Sequence, residues 1–190
     1  MAMRAICGLA LLATLMTAPL RAGDALPPMA GLSASAAQER AALFAALAAT
    51  KSDAEARAVE ERLWTFWRGL GDPISLALLK KAEAAQLEFD YGHALEALRE
   101  LVKHQPDFAE GWNRLAFALF LANSYDASLA ALDRVLALEP MHYAALAGKG
   151  IILIQQGKEA EAQGPLKRAL AIDPWLKERN LIGKSAEPRP

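Results

Sequence analysis

Residue types capable of chemistry are present in this chain, but their spacing withholds the partners each would need. Gly183-Lys184-Ser185 has the form of the end of a phosphate-binding loop, in which backbone N–H groups cradle phosphate and the lysine reaches it. Such a loop also needs a glycine five residues ahead, and position 178 is glutamate. Gly148 and Gly150 begin a dinucleotide-type pattern and fail it at Leu153, where a third glycine belongs. The histidines are His93, His104 and His142. None has a second histidine three to five residues away, as a helical zinc pair would. The carboxylates Glu60-Glu61 and Glu159 with Glu161 stand among other charges and read as solvated helix flanks. No serine or threonine is tied to a base by spacing. The expectation is a non-catalytic protein without cofactor or metal.

Composition narrows what can position these residues. Hydrophobic residues make up 54% of the 190, with alanine and leucine prominent and β-branched residues sparse. Alanine and leucine are good helix formers, so the class reads as all-α, with one domain or two small ones. A net charge of −1 and no basic block leave no electrostatic footprint for nucleic acid.

The N-terminus absorbs part of the apolar excess. Arg4 precedes an uncharged run from Ala5 to Leu20, followed by small residues at Ala22, Gly23 and Ala25. This reads as a secretory signal peptide over 1–22, cleaved after Ala22 or, as second choice, after Ala25. The rival reading, a membrane anchor, needs roughly 20 apolar residues, and the run ends at Arg21. Membrane contact is expected only through an uncleaved signal segment. Cys7, the one cysteine, precedes the run; it is misplaced for lipid attachment and is lost on cleavage. The protein is thus expected to be exported, periplasmic or secreted, and free of disulfides. Residues 23–34, with Pro27-Pro28 and nearby glycines, read as a flexible leader.

Two capping boxes follow, Ser35-Ala-Ala-Gln38 and Ser52-Asp-Ala-Glu55, each a helix start. The first helix carries the stripe Leu43, Phe44, Leu47; the second carries Val59, Leu63, Phe66, Trp67 and Leu70. Asp72-Pro73 opens the next helix. From there the pattern repeats. In the stretch Ala109–Pro140, Trp112, Leu115, Ala116 and Leu119 lie on one helical face, and Ser128, Leu132, Val135 and Leu136 on another. Pro106, Pro140 and Pro174 are 34 residues apart, as are Ala94, Ser128 and Ala162, and Leu98, Leu132 and Leu166. Small residues at Ala82, Ala116 and Gly150 allow paired helices to approach closely. Pro165, after Gly164, sits inside the last helix and is expected to kink it or delay its start to Gly164.

The 34-residue period, with Trp112, Ser128 and the closing prolines, resembles the tetratricopeptide repeat. The resemblance implies a right-handed superhelical solenoid of antiparallel helix hairpins. It places repeats at 73–106, 107–140 and 141–174, with 175–182 as a C-terminal cap and 183–190 as a disordered tail. Residues 35–72 match only in outline, because Trp64, Phe66 and Trp67 stand where small residues belong. They read as a degenerate repeat or an N-terminal capping hairpin.

The resemblance also implies a concave groove lined by the first helix of each repeat. Carried over by position, its residues are Glu83 and Gln86 in repeat one, Glu110, Asn113, Phe117 and Phe120 in repeat two, and Ile151, Ile154 and Gln155 in repeat three. Family members that grip a terminal carboxylate use lysine, arginine and asparagine at such places. Asn113 is the only matching type here, which speaks against a carboxylate clamp. The expected function is a non-catalytic interaction scaffold of the cell envelope that holds a peptide segment of a partner protein. The alternative is a homo-oligomer using the same apolar surface, and an envelope enzyme is the third reading.

Overall fold

The computed structural model describes residues 26–29 and 31–183. The signal segment 1–22 lies outside the described residues, as do 23–25 of the leader and 184–190 of the tail. The described chain forms α1 (Ala34–Ala48), α2 (Asp53–Arg68), α3 (Pro73–Leu87), α4 (Tyr91–His104), α5 (Ala109–Leu121), α6 (Tyr125–Leu138), α7 (Tyr143–Gln155) and α8 (Glu159–Ile172), then a 3-10 helix, Lys177–Leu181. The class is all-α.

Side chains just ahead of five helices satisfy their free N–H groups. Asp72 accepts from the Ser75 amide at 2.7 Å and Asp90 from that of His93 at 3.1 Å. Ser52 accepts from the Glu55 amide at 3.2 Å, while Glu55 reaches back to the Lys51 amide at 2.8 Å. The start of α1 differs from the sequence expectation. Ser33, not Ser35, is the cap, with its hydroxyl accepting from the Ala36 amide at 3.2 Å. Ser33 has the extended backbone (φ −65°, ψ 160°) that a capping residue needs, whereas Ser35 is already helical.

Three hairpins, α3–α4, α5–α6 and α7–α8, stack in chain order. Each first helix ends on a residue in the left-handed region, Phe89 (φ 59°), Asn123 (φ 55°) and Gly157 (φ 73°). The next amide then bonds back to Ala85, Leu119 or Leu153 at 2.8–2.9 Å, closing a Schellman-type turn. Inside the hairpins the small residues allow contact. The Ser128 hydroxyl donates to the Ala116 carbonyl at 2.7 Å across the α5–α6 crossing. A Cβ at Gly150 would lie 2.5 Å from Cγ of Leu166, so α7 and α8 meet there almost backbone to side chain.

Helix α8 is continuous through Pro165, which corrects the expected late start at Gly164. Proline removes one backbone bond, but Ala162, Leu166 and Ala169 are fully buried on either side of it, and that packing holds the turn.

The α1–α2 hairpin has a course of its own. A cap stacked ahead of repeat one would bury its apolar face on α3 and α4. Instead Leu43, Phe44, Leu63, Phe66 and Trp67 share a core with Met141 and Tyr143, flanked by Ile172, Trp175 and Leu176. The hairpin thus lies along the side of the stack, over repeat three and the C-terminal segment.

Candidate functional site

Three polar residues tie the hairpin to the stack, and each directly precedes a repeat-closing proline. Gln105 accepts from the Asp72 amide at 2.9 Å and donates to the Leu70 carbonyl at 3.0 Å. Glu139, fully buried, accepts from Arg40 Nε at 2.6 Å and Nη2 at 2.5 Å, from the Met141 amide at 3.0 Å and from the Trp67 indole at 3.3 Å. Asp173, also buried, caps its turn by accepting from the Trp175 amide at 3.0 Å, and it meets Glu60 of α2. Helix α2 therefore runs along the edge of the stack, its N-terminal half at repeat three and its C-terminal end at repeat one. Sequence reasoning passed over this triad. Its signal was the polar residue before each proline, at 34-residue spacing.

With α2 as one wall, the first helices of repeats two and three enclose a groove of about 1030 Å³. Its other end is bounded by Trp175 to Arg179. Of the residues expected to line a groove, Asn113, Phe117, Phe120 and Ile151 do so. Phe117 is 53% exposed although large and apolar. Phe120 is half-buried and packs at 5.9 Å, ring to ring, on Tyr125.

The other expected lining residues lie elsewhere. Glu83 is on α3 and pairs with Arg68 at 2.8 Å, and Gln86 is one turn further along the same helix. Ile154 packs beside Leu153 against α8 and Leu181, and Gln155 is exposed at the end of α7. Glu110 is not on the border of the groove but buried beneath it. The reason is α2, whose Trp64 and Trp67 stack around His142 (Trp67 at 4.1 Å, 11° between planes) and close over the start of α5 and α7.

Buried Glu110 positions groove residues from below. It accepts from Arg114 Nε at 2.5 Å and Asn113 Nδ2 at 3.0 Å. His142 Nδ1 accepts from the Ala145 amide at 3.2 Å, which puts a proton on Nε2, 3.9 Å from Glu110. Burial pushes the Glu110 carboxyl up, but the neighbouring His142 and Arg114 outweigh it and hold the group below its ordinary value. At the α2 end, burial first, then the hydrogen bond and charge of Asp173, push Glu60 up to about 7. Burial and the same carboxylates also raise the Tyr143 hydroxyl. The arrangement offers an apolar floor with a polar, partly acidic wall. Among the described residues it presents no nucleophile held by a base.

A family model described as tetratricopeptide repeat matches residues 79–138 and 118–174, half of the chain. A TPR repeat-containing protein of Rhizobium etli is 30% identical over 132 residues, 70% of this chain. This chain spans 65% of that relative's length. Among solved structures, the TPR2B domain of yeast Sti1, in its pHsp70 complex, superposes with a TM-score of 0.54 at 20% identity, over 58% of this chain and 91% of that domain. The Thermobaculum terrenum O-GlcNAc transferase, a K341M mutant, gives a TM-score of 0.50 at 25% identity, over 53% of this chain but 19% of that enzyme.

Proposed function

This chain belongs to the tetratricopeptide repeat family, and from that premise we propose that it is a non-catalytic scaffold holding a peptide segment of a partner protein in its groove. The observation that carries the reading is Phe117, a large aromatic left 53% exposed on the groove floor beside Phe120 and Ile151. Exposed apolar side chains gathered in one concave place mark interaction sites, and spaced apolar anchors suit a helical or extended segment. The Sti1 domain, of like fold, is solved as a complex with pHsp70, which supports a groove of this kind holding a chain segment. The leading apolar run after Arg4 supports export, with a partner in the cell envelope.

The test is capture of partners from an envelope extract of the native host by wild type and Phe117→Ser. Desolvated aromatic anchors contribute about 2 kcal/mol or more each, so capture of the specific partner should weaken at least tenfold. Because Phe117 is exposed, the melting temperature should stay within a few degrees. Unchanged capture by a folded variant overturns the reading.

A second reading, self-association, has its own observation. Leu87 and Phe89, 82% and 78% exposed, stand at the end of the first helix of repeat one. Light scattering that finds a monomer at all concentrations removes it.

A further inference from the structure

The turn between α3 and α4 carries the two most exposed large apolar side chains among the described residues. Leu87 is 82% exposed and Phe89 78%, with Tyr91 following at 41%. Glu88 and Asp90 alternate with them. The same turn in repeat three is polar throughout, Gln155-Gln-Gly-Lys-Glu159. Phe89 also holds a positive φ of 59°, where repeats two and three place asparagine and glycine. A bulky ring is a disfavoured choice for that backbone, and here it packs on little of its own chain. An aromatic that neither the turn nor the core requires points to a contact outside the chain.

The groove has the complementary surface. Phe117, Phe120 and Ile151 make its floor apolar, and its volume of about 1030 Å³ has room for several side chains. The end bounded by the C-terminal segment presents Lys177 and Arg179, both exposed. Neither has an ion-pair partner among the described residues. On the turn, Asp90 is engaged by the His93 amide and ring. Glu88 is exposed and has no ion-pair partner among the described residues. One chain thus carries an apolar knob with a free anion beside it and an apolar hollow with free cations at its rim.

We propose that the groove holds the α3–α4 turn of a second copy of this chain, with Phe89 seated among Phe117, Phe120 and Ile151 and Glu88 toward Lys177 and Arg179. This rests on the groove reading above and names the segment held. A copy cannot fill its own groove, because turn and groove belong to successive hairpins of one packed stack. The contact joins two different surfaces, so each added copy leaves one turn and one groove free. Such head-to-tail contacts give open chains, or rings where the rotation closes, and do not stop at a dimer. Aromatic side chains bury roughly 150–250 Å² each, so the turn covers roughly 500 Å² of its own surface and a like area of groove. About 1,000 Å² in all lies at the lower edge of specific interfaces. The association is therefore weak, in the micromolar to millimolar range.

The test is sedimentation equilibrium on the full chain purified from its native host, with two variants. Phe89→Asn disables the turn and takes the residue that repeat two already uses there; Phe117→Ser disables the groove. For the wild type the average mass should rise past the dimer as concentration increases. Each variant alone should associate about tenfold more weakly or less, with its melting temperature not lowered by more than a few degrees. Mixed in equal amounts, the variants still offer one sound groove and one sound turn, so they should form a one-to-one pair and nothing larger. A wild type that is monomeric at all concentrations overturns the proposal. So does association that survives Phe117→Ser but not Phe89→Asn, which would mean that turn meets turn. A monomeric wild type whose capture of a foreign envelope protein falls with Phe117→Ser overturns this occupant and keeps the groove. Self-association that follows both variants, with foreign capture unchanged, keeps this occupant and overturns the foreign one.

Discussion

At the scale of single residues, Glu139 is a buried junction between elements far apart in the sequence. It accepts four hydrogen bonds, two of them from the buried Arg40, and so joins α1, α2 and the turn between repeats two and three. The pair's net worth is modest, because desolvating two charges offsets their attraction. Removing one partner is different, since the other stays buried and unpaired, at about 3–5 kcal/mol. For a chain of this size each kcal/mol shifts the melting point by about 2–4 °C. Glu139→Ala is therefore expected to melt roughly 10 °C lower, and Arg40→Met with Glu139→Gln should recover most of the loss. A Glu139→Ala protein melting within about 2 °C of wild type in differential scanning calorimetry would contradict this.

At the scale of elements, the three repeats solve one turn with three residues. Position 157 is glycine, for which a positive φ carries no Cβ clash. Position 123 is asparagine, which tolerates it. Position 89 is phenylalanine at φ 59°, and a non-glycine side chain there costs about 1–2 kcal/mol. Its ring is 78% exposed, so little packing offsets that cost. Phe89→Gly should raise the melting temperature by about 2–4 °C in a thermal melt, and a lower value would mean the ring contributes contacts that outweigh the strain. The helices themselves were legible from their apolar stripes and from Asp72-Pro73. The boundary at Ser33 was not, because two serines two residues apart are equal candidates until the backbone of one is extended.

At the scale of the whole molecule, the α1–α2 hairpin makes the array a closed assembly instead of an open stack. Its core includes Met141 and Tyr143, with Ile172 and Trp175 against it, so it shares burial with repeat three. In native-state hydrogen exchange, units that share burial open together. The slow amides of α1 and α2 should thus exchange with the same opening energy as those of α7. In Glu139→Ala the hairpin should open first, separating the two sets. Independent exchange in the wild type would show the hairpin to be a separate unit.

The period of 34, the helix hairpins and the small residues at their crossings followed from the sequence alone, because a repeat states its packing locally and three times over. Phe117, Phe120 and Ile151 could be placed on one face for the same reason. The position of the hairpin could not. Its apolar stripe fits any complementary apolar surface, and the residues that select repeat three, Arg40 for Glu139 and Glu60 for Asp173, are 99 and 113 positions apart. Glu110 read as a groove border because helical register says which face a side chain is on, not what covers that face. Only the tertiary fold, by laying Trp64 and Trp67 over His142, decided that Glu110 is buried and that the groove has an acidic wall.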